Sequence, residues 1–130
     1  MYGTFIEKAK REIESRLKAF LQEKDIELFV ASNDNIDSSN PLVRLEALDD
    51  VILSGSKLLF EIKVVLGLLG KSWQCEELVK GIYYALHPHN ISLSDLTVLL
   101  MSIHVEEMAS LEPEYEQKRA IMRYILECLT

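Results

Sequence analysis

The sequence predicts an all-α protein, a single domain over residues 1–130 folded as a compact bundle of five or six helices. Two observations carry that prediction. Apolar residues recur every three or four positions along most of the chain, the spacing that gathers side chains on one face of a helix. Residues suited to starting and stopping helices also fall at intervals of helical length.

Taken in order, Ile6, Ala9, Ile13, Leu17, Phe20 and Leu21 form one stripe, with Lys8, Arg11, Glu12, Glu14, Lys18 and Glu23 on the other side. A first amphipathic helix is expected from Thr4 to about Phe29, although the tail Ile26 to Val30 also suits a short extended piece. Residues 31–40, rich in Ser, Asn and Asp, read as a polar loop, because these side chains compete for backbone hydrogen bonds. Asn40-Pro41 then supplies an N-cap followed by proline at the first helical position. The helix behind it carries Leu42, Leu45, Leu48, Val51 and Ile52.

Ser54-Gly55-Ser56 punctuates weakly, and Lys57 to Leu69 reads as helix with Gly70 as its left-handed terminator. Ser72 is the expected cap of a helix from Trp73 to Leu86, ended by His87-Pro88-His89-Asn90. Ser92 to Asp95 has the form of a capping box for a helix running to Met108. Glu112-Pro113-Glu114 opens the last, with Tyr115, Met122, Ile125, Leu126 and Leu129 toward the core.

Two of these segments have apolar residues on opposite sides. In Leu93 to Met108, Leu96, Leu100 and Ile103 form one stripe and Val98, Met101, Val105 and Met108 another. In Lys57 to Leu69, Leu58, Ile62, Val65 and Leu69 oppose Phe60, Val64 and Leu68. A helix apolar all round is a buried helix. Either both are enclosed by the other helices, or one face completes a homodimer or receives a protein partner. The expected partner or dimer interface is accordingly Val98, Met101, Val105, Met108, Phe60, Val64 and Leu68.

With 48% hydrophobic and 27% charged residues the chain belongs with globular proteins. Its net charge of −7 is uneven: residues 1–24 hold six basic and four acidic side chains, and residues 25–116 hold five basic and sixteen acidic. An acidic middle points to a protein partner with a basic surface and away from nucleic acid, which is announced by a clustered positive field. The basic first helix, through Lys8, Lys10, Arg11, Lys18 and Lys24, keeps a nucleic-acid regulator as a second alternative. Val51 to Leu69 is interrupted by Lys57, Glu61 and Lys63 and does not read as a membrane span. The charged N-terminal residues do not resemble a secretory signal. Cys75 and Cys128 make no disulfide framework, so a reducing, cytoplasmic setting is expected.

No phosphate loop, nucleophile elbow or zinc-protease motif is present in the sequence. His87 and His89 flank a proline and, with His104, are the candidates for the alternative reading, a small helical enzyme or metal-binding protein; the remaining ligands are not spaced nearby. His104 and Glu107 are three apart and would meet on a helix. The pairs Asp49-Asp50 and Glu106-Glu107 would diverge by about 100° on a helix. Cys75, in a first helical turn, could be an activated thiol or plain core. No cofactor or metal is expected. The function expected from the sequence is a non-enzymatic protein–protein interaction module of adaptor, inhibitor, immunity or chaperone type.

Overall fold

A five-stranded sheet in the order β1-β2-β3-β5-β4 carries the fold, with two helices on one of its faces. The structure, a computed structural model, describes residues 2–30, 42–54, 59–88, 96–108 and 116–128. The elements are α1 Tyr2–Glu23, β1 Leu28–Val30, β2 Leu42–Ser54, β3 Leu59–Gly70, α2 Ser72–Ala85, β4 Leu96–Met108 and β5 Glu116–Cys128. β1 runs parallel to β2, and the remaining neighbours are antiparallel. The chain leaves β3, crosses the sheet through α2, and reaches β4 one place beyond its neighbour; β5 then fills the gap.

This architecture corrects the all-α bundle of five or six helices. The segments opening at Pro41, Lys57, Leu93 and Pro113, each expected as a helix, hold β2, β3, β4 and β5. In β3 buried and half-exposed residues alternate without a break: Phe60, Ile62, Val64, Leu66 and Leu68 enter the core while Glu61, Lys63, Val65 and Gly67 face away. Two stripes on opposite sides, taken for a helix apolar all round, are the two faces of a strand.

In β2 and β4 the two-residue period is hidden by bulges, between Leu45 and Ala47 and between Val98 and Leu100. One extra residue turns a spacing of two into a spacing of three. Val43, Leu45 and Leu48 then imitate a helical stripe while all keeping to one face of the sheet.

Both true helices fall where a helix was expected, and α1 buries its expected stripe apart from half-buried Phe20. Ile6, Ala9, Ile13, Leu17 and Leu21 of α1 and Cys75, Leu78, Ile82 and Ala85 of α2 are buried, each larger aliphatic contributing roughly 1.5–3 kcal/mol. They share one core cluster with the inward residues of β3 and with Ala120, Met122, Tyr124 and Leu126 of β5. Lys10 of α1 is tied to Asp50 of β2 at 2.5 Å.

The end of α1 also departs from expectation. Ile26 N–H donates to Leu21 O at 2.9 Å and Asp25 N–H to Gln22 O at 3.0 Å, with Asp25 at φ 57°. This is a Schellman stop with aspartate in the left-handed position, so the tail becomes β1. At α2 the cap is Lys71, not Ser72, and its N–H donates to Gln74 Oε1 at 2.8 Å. Gly70 is the last residue of β3 and has no positive φ. The polar loop 31–40, Asn40-Pro41, Gly55-Ser56, His89, Ser92 to Asp95 and Glu112 to Tyr115 lie outside the described residues.

Candidate assembly surface

With both helices on one face, the other face of the sheet has no helix over it among the described residues. Cross-strand register arranges its residues in rows. Ala47, Val65, Ile121 and His104 form one; Asp49, Lys63, Arg123 and Ser102 form the next. Val51, Glu61, Ile125 and Leu100 form a third. Aliphatic positions therefore sit between charged ones.

The charges pair within the face. Glu46, beside the β2 bulge, reaches across β3 and accepts from Arg119 Nε of β5 at 3.0 Å. That reach requires Gly67, because a Cβ there would lie 2.5 Å from Glu46 Oε1. Arg123 Nε lies 3.7 Å from Glu61 Oε1. Three acids from the middle of the chain are thus answered, Glu46 and Glu61 by β5 and Asp50 by Lys10 on the helix side.

β4 is the least covered strand. Its inward residues Val98, Met101, Ile103 and Val105 pack on the core but stay half-buried, whereas their neighbours Met122, Tyr124 and Leu126 are fully buried. Leu99 and Leu100, at the bulge, are 52% and 60% exposed. Val51, Ile52 and Leu53 are exposed at the same end of the sheet, because β2 ends where β4 begins. The interface expected from the sequence therefore divides. Phe60, Val64 and Leu68 are 0%, 0% and 1% exposed and belong to the core; Val98, Met101, Val105 and Met108 lie along the uncovered edge strand.

The chemical candidates do not converge. His104 points to the helix-free face, and its carboxylate neighbour is Glu106 at 3.7 Å, two residues on; Glu107, paired on a helix, falls on the opposite side of a strand. His87 follows α2 in the helix layer, edge-on to Tyr83, so the sheet separates it from His104. Among the described residues no three His, Cys, Asp or Glu side chains are grouped to hold a metal ion. Asp49 and Asp50 point to opposite faces.

Cys75 is buried, with its thiol 3.7 Å from Gly70 O and 3.8 Å from Glu116 O. Burial pushes its pKa up, the reverse of an activated nucleophile. Tyr124 donates from its hydroxyl to Leu86 O at 2.5 Å, joining β5 to the end of α2, and burial raises its pKa well above the ordinary 10.0. Of the basic residues on α1 and just after it, Lys10 is bound to Asp50, Lys18 lies 3.8 Å from Glu14, and Lys24 sits over the Phe20 ring. Trp73 and Tyr84 are exposed on α2. A groove of about 390 Å³ beside them is lined by Phe20, Lys24, Trp73 and Gly81.

No protein-family model matches the chain, and no curated protein matches it. Among solved structures, a chain from the virion of a native gene transfer agent particle aligns with a TM-score of 0.62, covering 91% of this chain and 93% of that one. The two share the fold at 10% sequence identity. No helix among the described residues is long and apolar enough to cross a membrane.

The residues of the candidate surface that sequence reasoning missed are those of the helix-free face: Glu46, Arg119, Glu61, Arg123 and the aliphatics Val65 and Ile121 between them. One signal was available. From residue 59 to 70 every even position except Gly70 is apolar while the odd ones mix Glu and Lys with Val and Leu, a period of two.

Proposed function

We propose that this chain is a non-enzymatic structural subunit, built to bind other protein chains within a larger particle. The observation that carries the reading is the surface its helices leave uncovered: a flat, mixed face of paired charges and aliphatics running out to an edge strand that is incompletely buried on both sides. A surface that mixes apolar and polar groups in this way has the ordinary composition of a non-obligate protein interface. The shared fold with a chain of a gene transfer agent virion supports it, since that setting is an assembled particle.

The pairing of Glu46 with Arg119 and Glu61 with Arg123 favours partners of mixed charge over a purely basic one. Protein chains of similar surface, including further copies, meet that description. Assembly in the cytoplasm suits a buried, unoxidised Cys75.

Sedimentation of the purified protein across a hundredfold range of concentration tests the reading. Species heavier than the 14.9 kDa chain are expected, growing with concentration. A monomer throughout that range counts against it.

A further inference from the structure

We infer that β4 is the place where a second copy of this chain adds, strand to strand and antiparallel, about a two-fold axis at Ser102. The inference rests on the assembly reading and specifies its first contact.

The two edges of the sheet are unlike. At one, β1 is three residues long; at the other, β4 presents thirteen residues, roughly 40 Å of backbone, with no strand beyond it among the described residues. Proteins that must stay apart protect such an edge with lysine, proline, inward charge or a bulge. Leu96–Met108 contains no Lys, Arg or Pro. Its bulge lies near one end, leaving Leu100 to Met108 in regular register with β5. Its inward positions Met101, Ile103 and Val105 are apolar.

The same three residues are half-buried on the side where β3 and β5 are sealed. A neighbouring strand would extend the sheet and lay a second apolar stripe beside the first. Pairing about Ser102 places Met101 of one copy opposite Ile103 of the other, both on the helix side, and Leu100 opposite His104 on the helix-free side. Glu106 and Glu107 then fall beside the uncharged segment Leu96 to Val98, past the bulge. No acid meets an acid. Two copies related by a two-fold axis make a closed, self-complementary contact.

Cysteine cross-linking reads this geometry directly. Directly opposed residues of antiparallel strands have Cα atoms about 4.5–5.5 Å apart, within the span of a disulfide. Ser102→Cys, at an exposed position, is expected to give a disulfide dimer under mild oxidation. Thr97→Cys, which meets the Glu106–Glu107 end of the partner strand in this register and lies far from its own symmetry mate, should form no more dimer than the wild-type chain with Cys75 and Cys128. Ile103→Lys, which puts an inward charge at the centre of the edge, where the inward acid Glu107 stands only at its end, is expected to lower the sedimenting mass to that of a monomer with an unchanged circular-dichroism spectrum.

Equal cross-linking of Ser102→Cys and Thr97→Cys overturns the inference. So does an oligomeric wild type whose mass Ile103→Lys leaves untouched; the assembly reading then survives and another surface carries it. A wild-type monomer removes both.

Discussion

The centre of the sheet and its β4 edge are made of similar residues and are treated differently by the fold. β3 and β5 each send a row of large apolar side chains under the helices and have none of them left exposed on that side. β4 sends Val98, Met101, Ile103 and Val105 in the same direction and leaves them half in solvent. Two helices span three strands well and a fourth only in part. Apolar pattern alone therefore does not distinguish a covered strand from an incompletely covered one; helical packing does.

The largest effect should come from the covered centre. Phe60→Ala empties a fully buried site on β3 and is expected to destabilise by about 3–5 kcal/mol, measured by urea unfolding. A loss below about 1 kcal/mol would mean that the centre is no better packed than the edge.

Tyr124→Phe comes next. It removes the hydroxyl that donates to Leu86 O in a buried setting and should cost about 1–3 kcal/mol by leaving that carbonyl unpaired. The same group gives a pH dependence. Because its folded pKa lies above the unfolded value, its stabilising contribution is complete below that unfolded value and is lost as pH rises through the folded one. Cys75, also raised, acts in the same direction from a lower starting pH. Melting temperature should fall steadily above about pH 9, and less so in Tyr124→Phe. An identical alkaline decline in the variant would remove Tyr124 as its source.

At the edge, Val105→Lys should cost at most about 1 kcal/mol, since a half-exposed lysine stem can reach water, while shifting the sedimentation profile toward monomer. Unfolding of that variant would show Val105 to be ordinary core. The smallest change is expected on the helix-free face. Glu46→Gln weakens the pairing with Arg119, and since both side chains are about one-third exposed the loss should be under about 1 kcal/mol. Urea titration at low and high salt checks it; a larger, salt-independent loss would mark the pair as part of the fold's core support.

Local pattern was a reliable guide to the two helices, though not to β3, whose unbroken period of two was read as helix. α1 and α2 each show an unbroken stripe at helical spacing, and both helices form with that stripe buried. In β5 the run Gln117 to Glu127 is rich in residues that favour helices, and only its pairing with β3 on one side and β4 on the other makes it a strand. At the candidate surface, Val98, Met101, Val105 and Met108 could be named as interface residues from apolar excess alone. The charge pairs across the helix-free face could not, because Glu46 and Arg119 are far apart in the chain and meet only over Gly67.

By itself the sequence determined which residues are apolar, where the amphipathic stripe of α1 runs, and that the middle of the chain is acidic. Tertiary structure decided the rest: which segments became strands, which face the helices cover, and which strand stands at the edge. The reason is that a helix satisfies its own backbone hydrogen bonds within one segment, so its pattern is local. A strand satisfies them only with a neighbour, and the identity of that neighbour is a property of the whole chain.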